Sequence, residues 1–101
     1  MLAEFTVVPI GEGESVSRHV AECVRIVDES GLDYRVNPMG TVVEGGFDEV
    51  MSVICACHKK VAGTCARVET IIRIDDRKGV DHAIQSKIES VEKKLKKRLK
   101  E

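Results

Sequence analysis

Residues 67–77 read Arg-Val-Glu-Thr-Ile-Ile-Arg-Ile-Asp-Asp-Arg, an apolar run interrupted by charges at alternate positions. Side chains of a strand point alternately to its two faces. Val68, Thr70, Ile72 and Ile74 therefore share one face, and Glu69, Ile71, Arg73 and Asp75 the other. Isolated charges are seldom buried without partners, so the second face must meet something polar: water, a ligand or another subunit. Met39-Gly40-Thr41-Val42-Val43-Glu44-Gly45 has the same character, with Glu44 closing a run of valines. Such strands demand a sheet that is covered by helices on one side only.

The rest of the chain supplies those helices. Residues 2–9 alternate as a strand that Pro9 ends. Ser15 is a suitable N-cap for a helix over about 16–30, with Val16, Val20, Cys23 and Val27 on one face and Gly31 as the stop. Residues 33–37 and 41–45 form a hairpin about Asn37-Pro38-Met39-Gly40. A second helix spans about 47–61, with Phe47, Val50, Ile54, Cys57 and Val61 as its stripe, and the fourth strand follows at 66–75. A long amphipathic helix over 80–100 completes the chain. The fold class is α+β: a ferredoxin-like β-α-β-β-α-β sandwich with an additional C-terminal helix, the whole of 1–101 being one domain. Right-handed crossovers put the first two helices on one sheet face.

Two features point to self-association. The open face mixes Glu4, Glu69, Arg73 and Asp75 with Val8, Ile71 and a valine of the third strand, leaving an apolar patch. The last helix carries Val80, Ile84, Ile88, Val91, Leu95 and Leu99, and over 80–100 it would run roughly 30 Å. That stripe is expected to outrun its own domain and to lie across the sheet or against a second subunit.

Composition excludes several functions. With no Trp, two Phe and one Tyr, the chain lacks stacking platforms for single-stranded nucleic acid. The net charge of -1 hides a basic end: residues 92–101 hold six Lys/Arg and two Glu, so they sum to +4 and residues 1–91 to -5. Cations at a helix C-terminus are favourable in themselves, and that account outweighs phosphate binding by the tail. No apolar run approaches a membrane span and no signal-peptide pattern opens the chain, so a cytoplasmic protein is expected.

Chemistry-bearing residues are few. Cys55-Ala56-Cys57-His58, with Cys65 nearby, invites a zinc or copper reading, but positions 55 and 57 point about 200 degrees apart on a helix. Cys23, Cys55, Cys57 and Cys65 are read as thiols, and no metal or cofactor is expected. His19 and His58 flank apolar faces and are read as surface or partly packed. No nucleophile–base pairing and no phosphate-binding glycine loop occurs, so no catalytic residue is assigned. Glu44 is the sharper case: its carboxylate either takes a cation or amino group of a ligand, or pairs with Arg67, Arg73 or Arg77. Ser15 and Ser17 either cap the first helix or hold a polar ligand.

The pattern resembles the small thiamine-binding proteins of archaea and bacteria. The resemblance rests on Pro9-Ile10-Gly11, Ser15-Val16-Ser17, Met39-Gly40-Thr41 with Glu44-Gly45, Arg67-Val68 with Thr70, Ile74-Asp75-Asp76-Arg77, and Lys87 with Val91, over about residues 2–92. It implies a ferredoxin-like domain assembled as a dimer or tetramer through its sheets. It also implies a non-catalytic site for thiamine or its hydroxymethylpyrimidine half, with Ser15, Ser17, Met39, Gly40, Thr41 and Glu44 as ligand-binding residues. The competing readings are an enzyme on the same scaffold and a regulatory assembly touching nucleic acid through the basic tail. The cysteines and the Lys-rich tail depart from the family pattern.

Overall fold

The computed structural model describes residues 1–11, 13, 17–79 and 83–100. Leu2–Pro9 forms β1, Ser17–Glu29 α1, Asp33–Asn37 β2, Gly40–Glu44 β3, Phe47–Ala62 α2, Val68–Asp75 β4 and Ala83–Leu95 α3. The β-α-β-β-α-β order matches the periodicities in the sequence. Neighbouring strands are antiparallel in the order β2-β3-β1-β4, which makes β2 and β4 the edges.

Helices α1 and α2 pack against each other on the face that carries Ala3, Phe5 and Val43. The side chains buried most completely are Ile54, Val27, Val43, Val50, Val61 and Cys57. Each of the aliphatic ones contributes about 1.5–3 kcal/mol by leaving water. In α2 the predicted stripe holds from Val50 to Val61, while Phe47, in the first turn, is exposed. Asp48 and Glu49 open this helix and Lys59 and Lys60 close it, matching its dipole.

Two expectations are corrected. The buried stripe of α1 is His19, Cys23 and Val27, and Val20 is exposed. The helix is turned so that His19 meets Cys65 beyond α2, with His19 Nε2 3.7 Å from Cys65 Sγ. His19 is thus 4% exposed, not a surface residue. The second correction concerns the last helix, which runs for 13 residues rather than over 80–100. Lys96 takes a left-handed φ of 54°, and the Leu99 amide folds back to donate to the Glu92 carboxylate. Val80 and the Ser15 N-cap lie outside the described residues.

The open face is as the alternation predicts. Glu4 stands opposite Arg73, and Thr6 opposite Ile71, which is 56% exposed. On the covered side His58 of α2 reaches β4, its Nδ1 2.6 Å from Thr70 Oγ1. Beyond that contact Ile72 and Ile74 are exposed on the edge strand. No helix among the described residues is long and apolar enough to cross a membrane.

Candidate functional site

The site begins with a mismatch of strand lengths. β1 pairs with β4 along its whole length, from Leu2↔Asp75 to Pro9↔Val68. With β3 it pairs only from Leu2↔Glu44 to Phe5↔Thr41. The β2–β3 hairpin reverses at Pro38 and Met39, closed by the Asn37↔Gly40 pair, and leaves the second half of β1 without a neighbour on that side. The register also fixes which main-chain groups face the gap. Met1 and Gly45 exchange both of their bonds, at 2.9 and 3.1 Å, so odd-numbered residues of β1 address β3. Ile10 N donates to Arg67 O at 2.8 Å, so even-numbered residues address β4. Val7 N–H and C=O therefore point into the gap, where no main-chain partner meets them among the described residues.

This gap is a hollow of about 270 Å³. Phe5, Val7 and Thr41 line it from the sheet, Val20 and Cys23 from α1, and Val36 to Gly40 from the hairpin. Gly40 lets β3 approach β1 closely: a Cβ there would lie 3.4 Å from Phe5 O, Glu4 Cγ and Thr6 Cγ2. Met39 hangs over the mouth, 87% exposed. Among the described residues, the lining includes no Asp, Glu, Lys or Arg. Its polar groups are the hydroxyls of Thr6 and Thr41, the Asn37 amide, the Cys23 thiol and main chain.

Behind Cys23 lies a thiol pair. Cys57 Sγ donates to Cys23 O at 3.5 Å, and Cys23 Sγ to Cys57 O at 3.9 Å. Interaction with the Cys57 side chain holds the Cys23 thiol below its usual range, against the opposing effects of burial and Glu22. The same interaction, with burial, pushes the Cys57 thiol up. All four cysteines are free thiols, and Cys55 is exposed on the other side of α2. No cluster of three metal-ligating side chains occurs among the described residues. His19 Nδ1 is buried without a hydrogen-bond partner there.

Glu44 occupies different surroundings. It lies three residues from Thr41, about 10 Å along the strand, and on the opposite sheet face. It is buried, and its Oε1 accepts from Ile84 N in the first turn of α3 at 3.3 Å. Beside it a wider hollow of about 610 Å³ is lined by Met1, Leu2, Asp75, Arg77, Ser86, Lys87 and Ser90. Lys87 Nζ donates to Asp75 Oδ2 at 2.6 Å, and this bond and charge hold the Asp75 carboxyl below its usual range, helped by Arg77 and Arg73.

The structure thus brings Met39, Gly40 and Thr41 together and keeps Glu44 apart from them. Ser17 opens α1 and lines a shallow neighbouring hollow that shares Val20. Ser15 lies outside the described residues. Sequence reasoning missed Phe5, Val7, Val20, Cys23 and Asn37. The available signal was the overhang of a strand at 2–9 past a hairpin tip at 38–39.

The sequence profile described as thiamine-binding protein matches residues 3–92. The UPF0045 protein of Mycobacterium bovis is 40% identical over 96 residues, covering 94% of each chain. That of Bacillus subtilis is 40% identical over 100 residues, covering 93% of this chain and 96% of the relative. A crystal structure of a hypothetical protein from Methanocaldococcus jannaschii superimposes with a TM-score of 0.83 at 32% identity, covering 89% of this chain and 93% of the other. A Thermotoga maritima protein, a candidate for thiamine biosynthesis or salvage, shares the fold with a TM-score of 0.78 at 23% identity, over 89% of this chain and 96% of its own.

Proposed function

The chain belongs to the thiamine-binding protein family, and from that premise we propose that it binds thiamine, or the hydroxymethylpyrimidine half of it, in the hollow between α1 and the β2–β3 hairpin. The observation that carries this reading is the character of the hollow. It is lined by Phe5, Val20, Val36 and Met39, holds a few neutral polar groups, and is bounded by the same Met39-Gly40-Thr41 segment that marks the resemblance. At about 270 Å³ it falls just under the roughly 300–1,000 Å³ of pockets that enclose drug-sized ligands. One substituted aromatic ring fits that volume. A thiazolium would find no counter-charge among the described lining residues, so the cationic half of thiamine belongs at the mouth, beside Met39 and solvent. Ser17, one turn before Val20 on α1, is placed to meet that outer part. Glu44 is assigned to holding the start of α3, because its carboxylate already accepts from Ile84 N.

The reading is of binding without chemistry: the hollow offers Cys23 as a nucleophile, and no general base lines it among the described residues. Isothermal titration of the purified protein with thiamine, its phosphates and 4-amino-5-hydroxymethyl-2-methylpyrimidine tests it. Saturable binding of thiamine and of the free pyrimidine is expected, and no binding of either would end the proposal.

We also propose that a second copy covers the apolar part of the open face around Val8, Val42 and Ile71. The exposed Ile71 in the middle of β4 motivates this. Light scattering at micromolar concentration should give a multiple of 11.1 kDa; a clean monomer would refute self-association and leave the ligand site untouched.

A further inference from the structure

We propose that the main chain of Val7 is the group that reads the ligand, taking the amino group and the adjacent ring nitrogen of a 4-aminopyrimidine as a strand takes its neighbour. This deepens the binding reading above and rests on it.

Among the described residues, no strand fills the gap beside β1, which has a fixed pattern of donors and acceptors. Val7 faces it with one N–H and one C=O, because odd-numbered residues of β1 address β3 and β3 has ended at Gly40. Buried main-chain polar groups are almost always paired, so a half-buried residue with both groups aimed into an apolar hollow calls for a partner. A 4-aminopyrimidine presents the complement along one edge: the exocyclic amino group donates, and the neighbouring ring nitrogen accepts. The amino group would donate to Val7 C=O, and the ring nitrogen would accept from Val7 N–H. Both groups lie near the plane of the sheet, so the ring would extend β1 edge-on. Its faces would then lie toward the Phe5 and Val20 side and the Met39 side of the hollow.

The chain itself supports this phase. Pro9 has no N–H and sits two residues on, at the next odd position, so its missing donor costs the β1–β4 ladder nothing. Val7 is in the same phase, and its N–H is likewise not needed by β4. Val8 is in the other phase and pairs with Glu69 of β4.

This gives an experiment with an internal control. Val7→Pro removes the β1 N–H that faces the hollow and leaves the β1–β4 ladder whole. It should keep the fold, read by circular dichroism and thermal melting, while affinity for 4-amino-5-hydroxymethyl-2-methylpyrimidine falls at least tenfold by titration calorimetry. Val8→Pro should instead break the ladder and lower the melting temperature sharply. Independently of any variant, the wild-type protein should bind the same pyrimidine with hydrogen in place of the 4-amino group at least tenfold more weakly. If the wild type binds both pyrimidines equally, or if folded Val7→Pro binds as the wild type does, the assignment to Val7 is wrong while the ligand site stands. If the wild type binds neither thiamine nor the pyrimidine, the site and the assignment fall together. Should Val7→Pro not fold, its N–H is part of the sheet and the assignment is overturned.

Discussion

The two ends of the β1–β3 pair differ more than any other two regions of this small molecule. At the Glu44 end the charged groups are tied down. The N-terminal ammonium donates to Gly45 O at 2.9 Å, Glu44 accepts from Ile84 N, and Asp75 holds Lys87 at 2.6 Å. Helix α3 is laid over that end by these contacts. At the Thr41 end the pairing with β3 stops at Phe5↔Thr41, β1 runs on with β4 alone, and the described residues that line the hollow beside it include no Asp, Glu, Lys or Arg. Charge is therefore a poor guide to the end proposed to bind. The carboxylate that stands out in the sequence ties down a helix, and the end whose described lining carries no charge has the room of one ring.

The largest effect should come from putting a charge into the empty end. Val20 is an exposed residue of α1 and lines the hollow, so Val20→Glu should leave stability within about 0.5 kcal/mol. A carboxylate there must lose water when a ring enters. The expected cost is about 2 kcal/mol, roughly thirtyfold in affinity for the hydroxymethylpyrimidine. Calorimetric titration beside a urea melt reads both quantities. Unchanged affinity would mean that the ligand does not use this end.

The comparison also marks how far the sequence can be read. Alternation in 67–77 and the stripe from Val50 to Val61 are local patterns, and they placed the sheet faces and α2 where the structure has them. The stripe of α1 went wrong by one position because hydrophobicity favours Val20 over His19. Which of them turns inward depends on Cys65, 46 residues away, a contact that no local period reports. The end of α3 was hidden for the opposite reason. Its apolar spacing continues to Leu99, but the left-handed Lys96 and the tie from Leu99 to Glu92 stop the helix at Leu95. The hollow is an absence, the missing continuation of β3. Met39, Gly40 and Thr41 were legible because they form the tip that leaves it, whereas Val7 looks like any other strand valine.

A smaller effect, of opposite kind, is expected at the saturated end. Glu44→Ala removes the acceptor of Ile84 N and leaves a partly buried amide unpaired, which should cost about 1–2 kcal/mol of stability. Affinity for thiamine should not change, since Glu44 lies on the opposite face from Thr41. A urea melt and a titration on the same preparation sharpen the contrast with Val20→Glu. A Glu44→Ala protein of normal stability and tenfold weaker binding would move the site to the Glu44 end.

The smallest effect concerns the ion pair that flanks Glu44. The Asp75 carboxyl is held below its usual range, first by the hydrogen bond and charge of Lys87 and then by Arg77 and Arg73. A carboxyl with a depressed folded-state pKa contributes stability above its unfolded value of about 3.9, and loses it as pH falls through the lower folded value. The pair is solvent-exposed on both sides, so screening keeps its contribution small, and salt should weaken it further. Lys87→Met removes the main cause of the depression and leaves Arg73 and Arg77. A carbon-detected titration of the Asp75 carboxyl should therefore move up toward the ordinary range, while the acid limb of the stability profile below about pH 4 becomes slightly less steep. The hydroxymethylpyrimidine affinity at neutral pH should be the same in both proteins, because the hollow at Thr41 contains neither residue. An Asp75 titration that ignores Lys87→Met would show that the 2.6 Å contact does not persist in solution, and that α3 is held at this end by Glu44 rather than by the ion pair.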